Sequence, residues 1–95
     1  MPKAYFIARV DIVDPAAYGA YTKALMPFLS AFGCKVLAAG GRTELLEGSA
    51  RARNLVIEAP DFDSAKKAFL SSDYAAIKAL REGAATVDLI VIEGV

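Results

Sequence analysis

Tyr5, Arg9 and Glu58 are residues whose types suit reaction chemistry: a hydroxyl donor, a permanent cation and a carboxylate base. Each lies in a strand-like apolar run, Tyr5 and Arg9 within Ala4–Ile12 and Glu58 within Asn54–Ala59. Alternation along the first run puts Phe6, Ala8 and Val10 on one face and Tyr5, Ile7, Arg9 and Asp11 on the other. If the strand holding Glu58 lies beside the first, Glu58 comes near Arg9, and the two are expected to pair because an isolated buried charge is very costly. Two roles are open to such a pair. It is either a salt bridge that fixes how two subunits meet, or a site. In the site reading Arg9 clamps a carboxylate or enolate, Glu58 takes a proton and Tyr5 donates one. The chain has no histidine, which leaves carboxylates as the proton acceptors.

Arg42, after a glycine pair, and Arg81, late in the last helical stretch, are candidates to rim a ligand pocket. Each reads more readily as a solvated surface charge. Tyr74 falls on the apolar side of its helix, as core or with its hydroxyl at a pocket mouth. Cys34, the single cysteine, reads as a small packing residue; it permits no disulfide within the chain and fits a cytoplasmic setting. No metal-ligand spacing, nucleophile elbow or phosphate-binding glycine loop is present, so neither a metal nor another cofactor is expected. Eleven basic and eleven acidic residues cancel, which argues against nucleic-acid or membrane-surface partners. No apolar run approaches the roughly 20 residues that a membrane span requires.

These residues need elements to hold them. Three runs, Ala4–Ile12, Asn54–Ala59 and Val87–Glu93, are nearly continuous apolar segments broken by one or two charges, as in strands covered on both faces. Asp14 caps a helix with Pro15 at its first position, and a Val13–Tyr18 staple is expected. Tyr18, Tyr21, Leu25, Phe28 and Phe32 make one apolar stripe on that helix, which Pro27 should bend and Gly33 should end. Cys34–Ala39 reads as the second strand, interrupted at Gly40-Gly41 and continued over Thr43–Glu47. After Pro60, Asp61 or Asp63 caps a second helix with Ala65, Ala68 and Phe69 inward. Ser71-Ser72 breaks it, and Tyr74, Ile77, Leu80 and Ala84 mark a further helical stretch.

The order strand–helix–strand, repeated once in residues 1–95, predicts one α+β domain of ferredoxin-like βαββαβ type, with helices on one face of an antiparallel sheet. The hydrophobic content of 56% is high for this size, and a second subunit over the uncovered face would bury the surplus.

Several segments resemble a known family. They are Tyr5-x-x-Ala8-Arg9-Val10-x-x-x-Asp14-Pro15-x-x-Tyr18-x-x-Tyr21, Gly40-Gly41, Leu46-Glu47-Gly48, Val56-Ile57-Glu58-x-Pro60, Ser72-x-Tyr74 and Val91-x-Glu93-Gly94. Together they resemble the DUF1330 family of unknown function, over essentially the whole chain. That family is similar to the dimeric α/β barrel proteins, in which two ferredoxin-like subunits join sheets around a shared interior. The resemblance implies a homodimer and leaves the reaction open. Three functions fit: a cofactor-independent enzyme acting on a small organic molecule in the barrel interior, a non-catalytic binder of such a molecule, and a structural dimer with a filled interior.

Overall fold

The computed structural model describes residues 2–95. Strand β1 (Ala4–Ile12) alternates in burial along its length: Ala4, Phe6, Ala8 and Val10 are buried, while Tyr5, Ile7, Arg9 and Asp11 are half-buried. Helix α1 (Pro15–Ala31) begins as its residues dictate. Asp14 is extended, its carboxylate accepts the Ala16 and Ala17 N–H groups, and Pro15 gives up no intrahelical bond at the first position. The helix runs unbroken through Pro27. It buries Tyr18, Tyr21, Leu25, Phe28 and Leu29.

Gly33 (φ +70°) turns the chain into β2 (Lys35–Ala39), which has a register shift between Val36 and Ala38. After β3 (Arg53–Ala59), Asp61 caps α2 (Phe62–Phe69) and Ser71 caps α3 (Ser72–Ala79). Strand β4 (Ala85–Glu93) completes the fold.

The strands form one sheet of order β2-β3-β1-β4 in which every neighbouring pair is antiparallel. This is the ferredoxin-like arrangement. The helices lie on the face carrying Phe6, Ala8, Val10 and Ile57, and the core is there. Phe69 joins it to the helices: its ring centroid lies 4.1 Å from that of Phe6 and 4.2 Å from that of Tyr74. The opposite face carries Ile90 and Ile92, more than half exposed on β4, with Leu37 of β2 at 48%. In the single chain that face is uncovered.

Four expectations fail locally. Thr43–Glu47 forms no strand; residues 40–52 are an exposed loop, because Gly40-Gly41 ends β2 and no neighbouring strand is left to pair with. Val13 is 73% exposed, so no staple closes on Tyr18; its N–H instead bonds the Ala84 carbonyl at 2.7 Å. Phe32 is exposed because it is the C-cap of α1 rather than a member of its buried stripe. Leu80, the C-cap of α3, is exposed for the same reason. No helix among the described residues is long and apolar enough to cross a membrane.

Candidate functional site

Alternation places Tyr5 and Arg9 on the uncovered face, as the sequence requires, but Arg9 and Glu58 do not pair. The antiparallel register sets Glu58 opposite Tyr5 and Arg9 opposite Asn54. The two charges are therefore offset by four residues along the strands, roughly 13 Å at strand rise. Each has another partner. Lys3 Nζ lies 3.3 Å from Glu58 Oε2, and Arg9 Nη2 donates to the Ser49 carbonyl at 2.9 Å.

The same face carries a second set of ion pairs. Arg51 bridges Asp11 of β1 and Asp88 of β4 at 2.8 and 2.7 Å, and the Ala52 N–H donates to Asp11 at 2.9 Å. That N–H, and then the guanidinium, hold the Asp11 carboxyl below its ordinary value. Salt bridges here are open to solvent and neutralise one another.

The other face of the sheet holds the concave site. A cavity of about 540 Å³ opens between α2, α3 and the edge strand β4. Its walls are apolar: Phe6, Phe62, Phe69, Leu70, Val87, Leu89 and Val91. Tyr74 and Arg81, both singled out in the sequence, line it together, with Lys66 and Lys78 exposed at its margin. A smaller recess of about 30 Å³ adjoins it, sharing Phe69, Arg81, Val87 and Leu89, and reaches Tyr18, Tyr21 and Ala8.

Tyr21 and Tyr74 meet here. Their hydroxyls are 2.9 Å apart although the residues are 53 positions apart in the chain. Ser71 sets the position of Tyr74 from below: its Oγ accepts the Tyr74 N–H at 3.3 Å and donates to the Ala68 carbonyl at 2.6 Å. The Arg81 guanidinium stands 5.0 Å above the centre of the Tyr21 ring, within cation–π range. Burial, then the Tyr74 hydroxyl, push the Tyr21 phenol far above its ordinary pKa. Tyr18 is likewise raised by burial, against the opposing charges of Arg53 and Arg81. Both phenols stay protonated at neutral pH.

The chemistry follows from that inventory. Of the two hydroxyls one donates in the mutual hydrogen bond, and the proton of the other remains free to be donated. No acidic side chain lines either cavity. The site therefore offers donors and a cation but no carboxylate base. Glu58, the base expected from the sequence, is on the opposite face. Arg42 lies in the exposed 40–52 loop and lines neither cavity. Cys34 packs half-buried against the core, its thiol pushed up by burial, which disfavours the reactive thiolate. Among the described residues no cluster of three or more acidic or cysteine side chains could hold a metal.

Sequence reasoning missed Tyr21 and Tyr18 as site residues. Both sit in the apolar stripe of α1, where a tyrosine reads as core. The signal available was that the stripe begins with two tyrosines, whose hydroxyls need partners once buried.

The fold and its cavity define a ferredoxin-like protein with a ligand-sized space between sheet and helices. Over residues 3–95 the chain matches the family described as Domain of unknown function (DUF1330), and it belongs to that family. No curated protein matches it. Among solved structures it is similar to a protein of unknown function from Rhodopseudomonas palustris, at 19% identity and a TM-score of 0.75, covering 99% of this chain and 83% of that one. It is also similar to SnoaB, a cofactor-independent oxygenase from Streptomyces nogalater, at 13% identity and a TM-score of 0.67, covering 100% and 95% of the two chains. A dimeric protein of unknown function with a ferredoxin-like fold from Bacteroides fragilis matches at 10% identity and a TM-score of 0.62, over 97% and 96%. At these identities the likeness is one of fold.

Proposed function

We propose that this protein binds a small, largely apolar organic molecule in the cavity between sheet and helices and acts on it without a cofactor. Tyr21, Tyr74 and Arg81 are the residues that act. The observation that carries the reading is the Tyr21–Tyr74 hydroxyl pair, 2.9 Å apart, beside Arg81 at the junction of the open cavity and the inner recess. A phenol proton and a guanidinium directed at one ligand oxygen would polarise a carbonyl or steady a developing negative charge in an apolar surrounding, where such contacts are strongest. Proton transfer, isomerisation and oxygenation of an activated carbanion all need that stabilisation. The cofactor-independent oxygenase among the structural neighbours makes the enzyme reading the first to test.

A second copy of the chain is part of the same proposal. Ile90, Ile92 and Leu37 leave an apolar surface on the uncovered sheet face, and the Bacteroides neighbour with this fold is described as dimeric. On this reading Tyr5, Arg9 and Glu58 belong to a subunit interface and not to the reacting centre.

Binding without turnover is the second reading, favoured by the lack of any acidic side chain in the lining. A thermal-shift screen against small phenols, lactones and carboxylic acids tests the site. A compound at about 100 times its dissociation constant should add roughly 2.7 kcal/mol of stability. The shift should vanish in Val91→Trp, which fills the cavity. A shift that survives Val91→Trp would remove the site from this cavity. Product formed from a hit compound by the wild type and lost in Tyr74→Phe separates enzyme from binder.

A further inference from the structure

We propose that the ligand of this cavity is bound as an oxyanion: an apolar body carrying one ionised oxygen, of phenolate or enolate type. The inference rests on the cavity reading above and adds the charge of the molecule. Its first support is Arg81. The guanidinium Nε is buried and has no hydrogen-bond partner, and no carboxylate lines the cavity or the recess. The rest of the half-buried guanidinium is engaged by the Tyr74 and Tyr21 hydroxyls, but a buried N–H left unpaired is costly, so the partner of Nε is expected from the ligand.

The second support is the charge around it. The whole chain carries no net charge, yet the charged residues lining the cavity are Lys66, Lys78 and Arg81, all cationic. A cationic guest would be repelled by that arrangement and a neutral one would gain only a polarised oxygen; an anion gains steering from the two exposed lysines and pairing from the arginine. Arg53, outside the lining of both cavity and recess, also has a buried Nε without a partner, and its charge, with that of Arg81, acts on Tyr18, which lines the recess.

The third support is the state of the tyrosines. Tyr74 lines the cavity and Tyr21 the recess; their mutual hydrogen bond uses one hydroxyl proton and leaves the other to be donated to a ligand oxygen. A site of donors with no base fits a molecule that arrives ionised or ionises readily. Apolar walls on Phe62, Phe69, Leu89 and Val91 then hold the body of that molecule and exclude a bare inorganic anion, which has no apolar surface to bury.

The test uses 4-nitrophenol, whose two protonation states differ in absorbance, and the neutral 4-nitroanisole of nearly equal shape. Absorbance titration across pH with the wild-type protein should show the bound phenol ionising about one pH unit lower than the free one, which is about tenfold tighter binding of the phenolate than of the phenol. In Arg81→Met that displacement should disappear while 4-nitroanisole still binds. Lys66→Gln with Lys78→Gln, both at exposed positions, should reduce the displacement in part, and serves if Arg81→Met does not fold.

Equal affinity for phenolate and anisole, or a bound phenol that ionises higher than the free one, overturns the oxyanion and leaves the cavity reading standing. A displacement that persists in Arg81→Met, or that is undiminished in the lysine double variant where Arg81→Met does not fold, places the anion elsewhere and overturns the inference. Failure of both probes to bind overturns the inference together with the reading it rests on.

Discussion

On the uncovered face of the sheet Glu58 is met by Lys3, and Asp11 and Asp88 are met by Arg51; under the helices Arg81 has no carboxylate to meet. Both faces carry charge, but only the open face sets carboxylates against its cations. The difference is one of solvent. Charges on the open face sit in water, where pairs form and part at little cost and each side chain is replaceable. The guanidinium beneath the helices is half-buried, its Nε shut away from water and its plane held over the Tyr21 ring, so on the proposed reading the ligand supplies the missing counter-charge. Charged residues were therefore most conspicuous in the sequence on the face where, in the single chain, they do least.

The contrast can be broken from either side. The largest expected effect is on the helix face. Phe6 is 2% exposed and packs on Phe69, so Phe6→Ala should lower the free energy of unfolding by about 3–5 kcal/mol, measured by urea denaturation. A loss below about 1 kcal/mol would show that the wall between core and cavity is not what holds this face together.

The open face should respond differently. Ile90→Lys with Ile92→Lys leaves the fold of one chain intact but removes two isoleucines that a second copy would bury, each worth about 1.5–3 kcal/mol. Sedimentation should then find association weakened by roughly a hundredfold or more, with an unchanged circular dichroism spectrum. Self-association equal to that of the wild type would place the interface elsewhere.

The smallest effect sharpens the contrast at the ion pairs. The folded-state pKa of Asp11 lies below its ordinary value, so its contribution is present at neutral pH and lost as pH falls through that folded-state value. In Arg51→Met the decline of melting temperature between about pH 5 and about pH 3 should be shallower than in the wild type, with little change near neutrality. A variant that melts many degrees lower at pH 7 would mean that these solvent-exposed pairs are structural.

What was legible in the sequence was local or periodic. Asp14-Pro15 marks a helix start because a short carboxylate and a residue without N–H solve the same problem of orphan donors, and Gly33 marks the stop because the turn needs positive φ. Alternation along β1 gave the faces of Tyr5 and Arg9 correctly. It gave no register: period two says which side a residue faces, while the offset between strands is set by how the intervening helix and loops close. Hence Glu58 was assigned to the right sheet region but opposite the wrong residue. The Tyr21–Tyr74 contact was illegible for a related reason. It depends on how α1 and α3 meet over the sheet, and neither stripe alone carries that distance.

Gly40 carries a consequence beyond its own turn. Its φ is +67°, and the space that a Cβ would fill there is held by the guanidinium of Arg53. One hydrogen atom at position 40 thus keeps the arginine folded inward beside Tyr18. Evolution should treat the two positions as one character. In relatives with a side chain at the equivalent of 40, the residue at 53 should be short or turned away, and the tyrosine equivalent to Tyr18 should have lost a neighbouring positive charge.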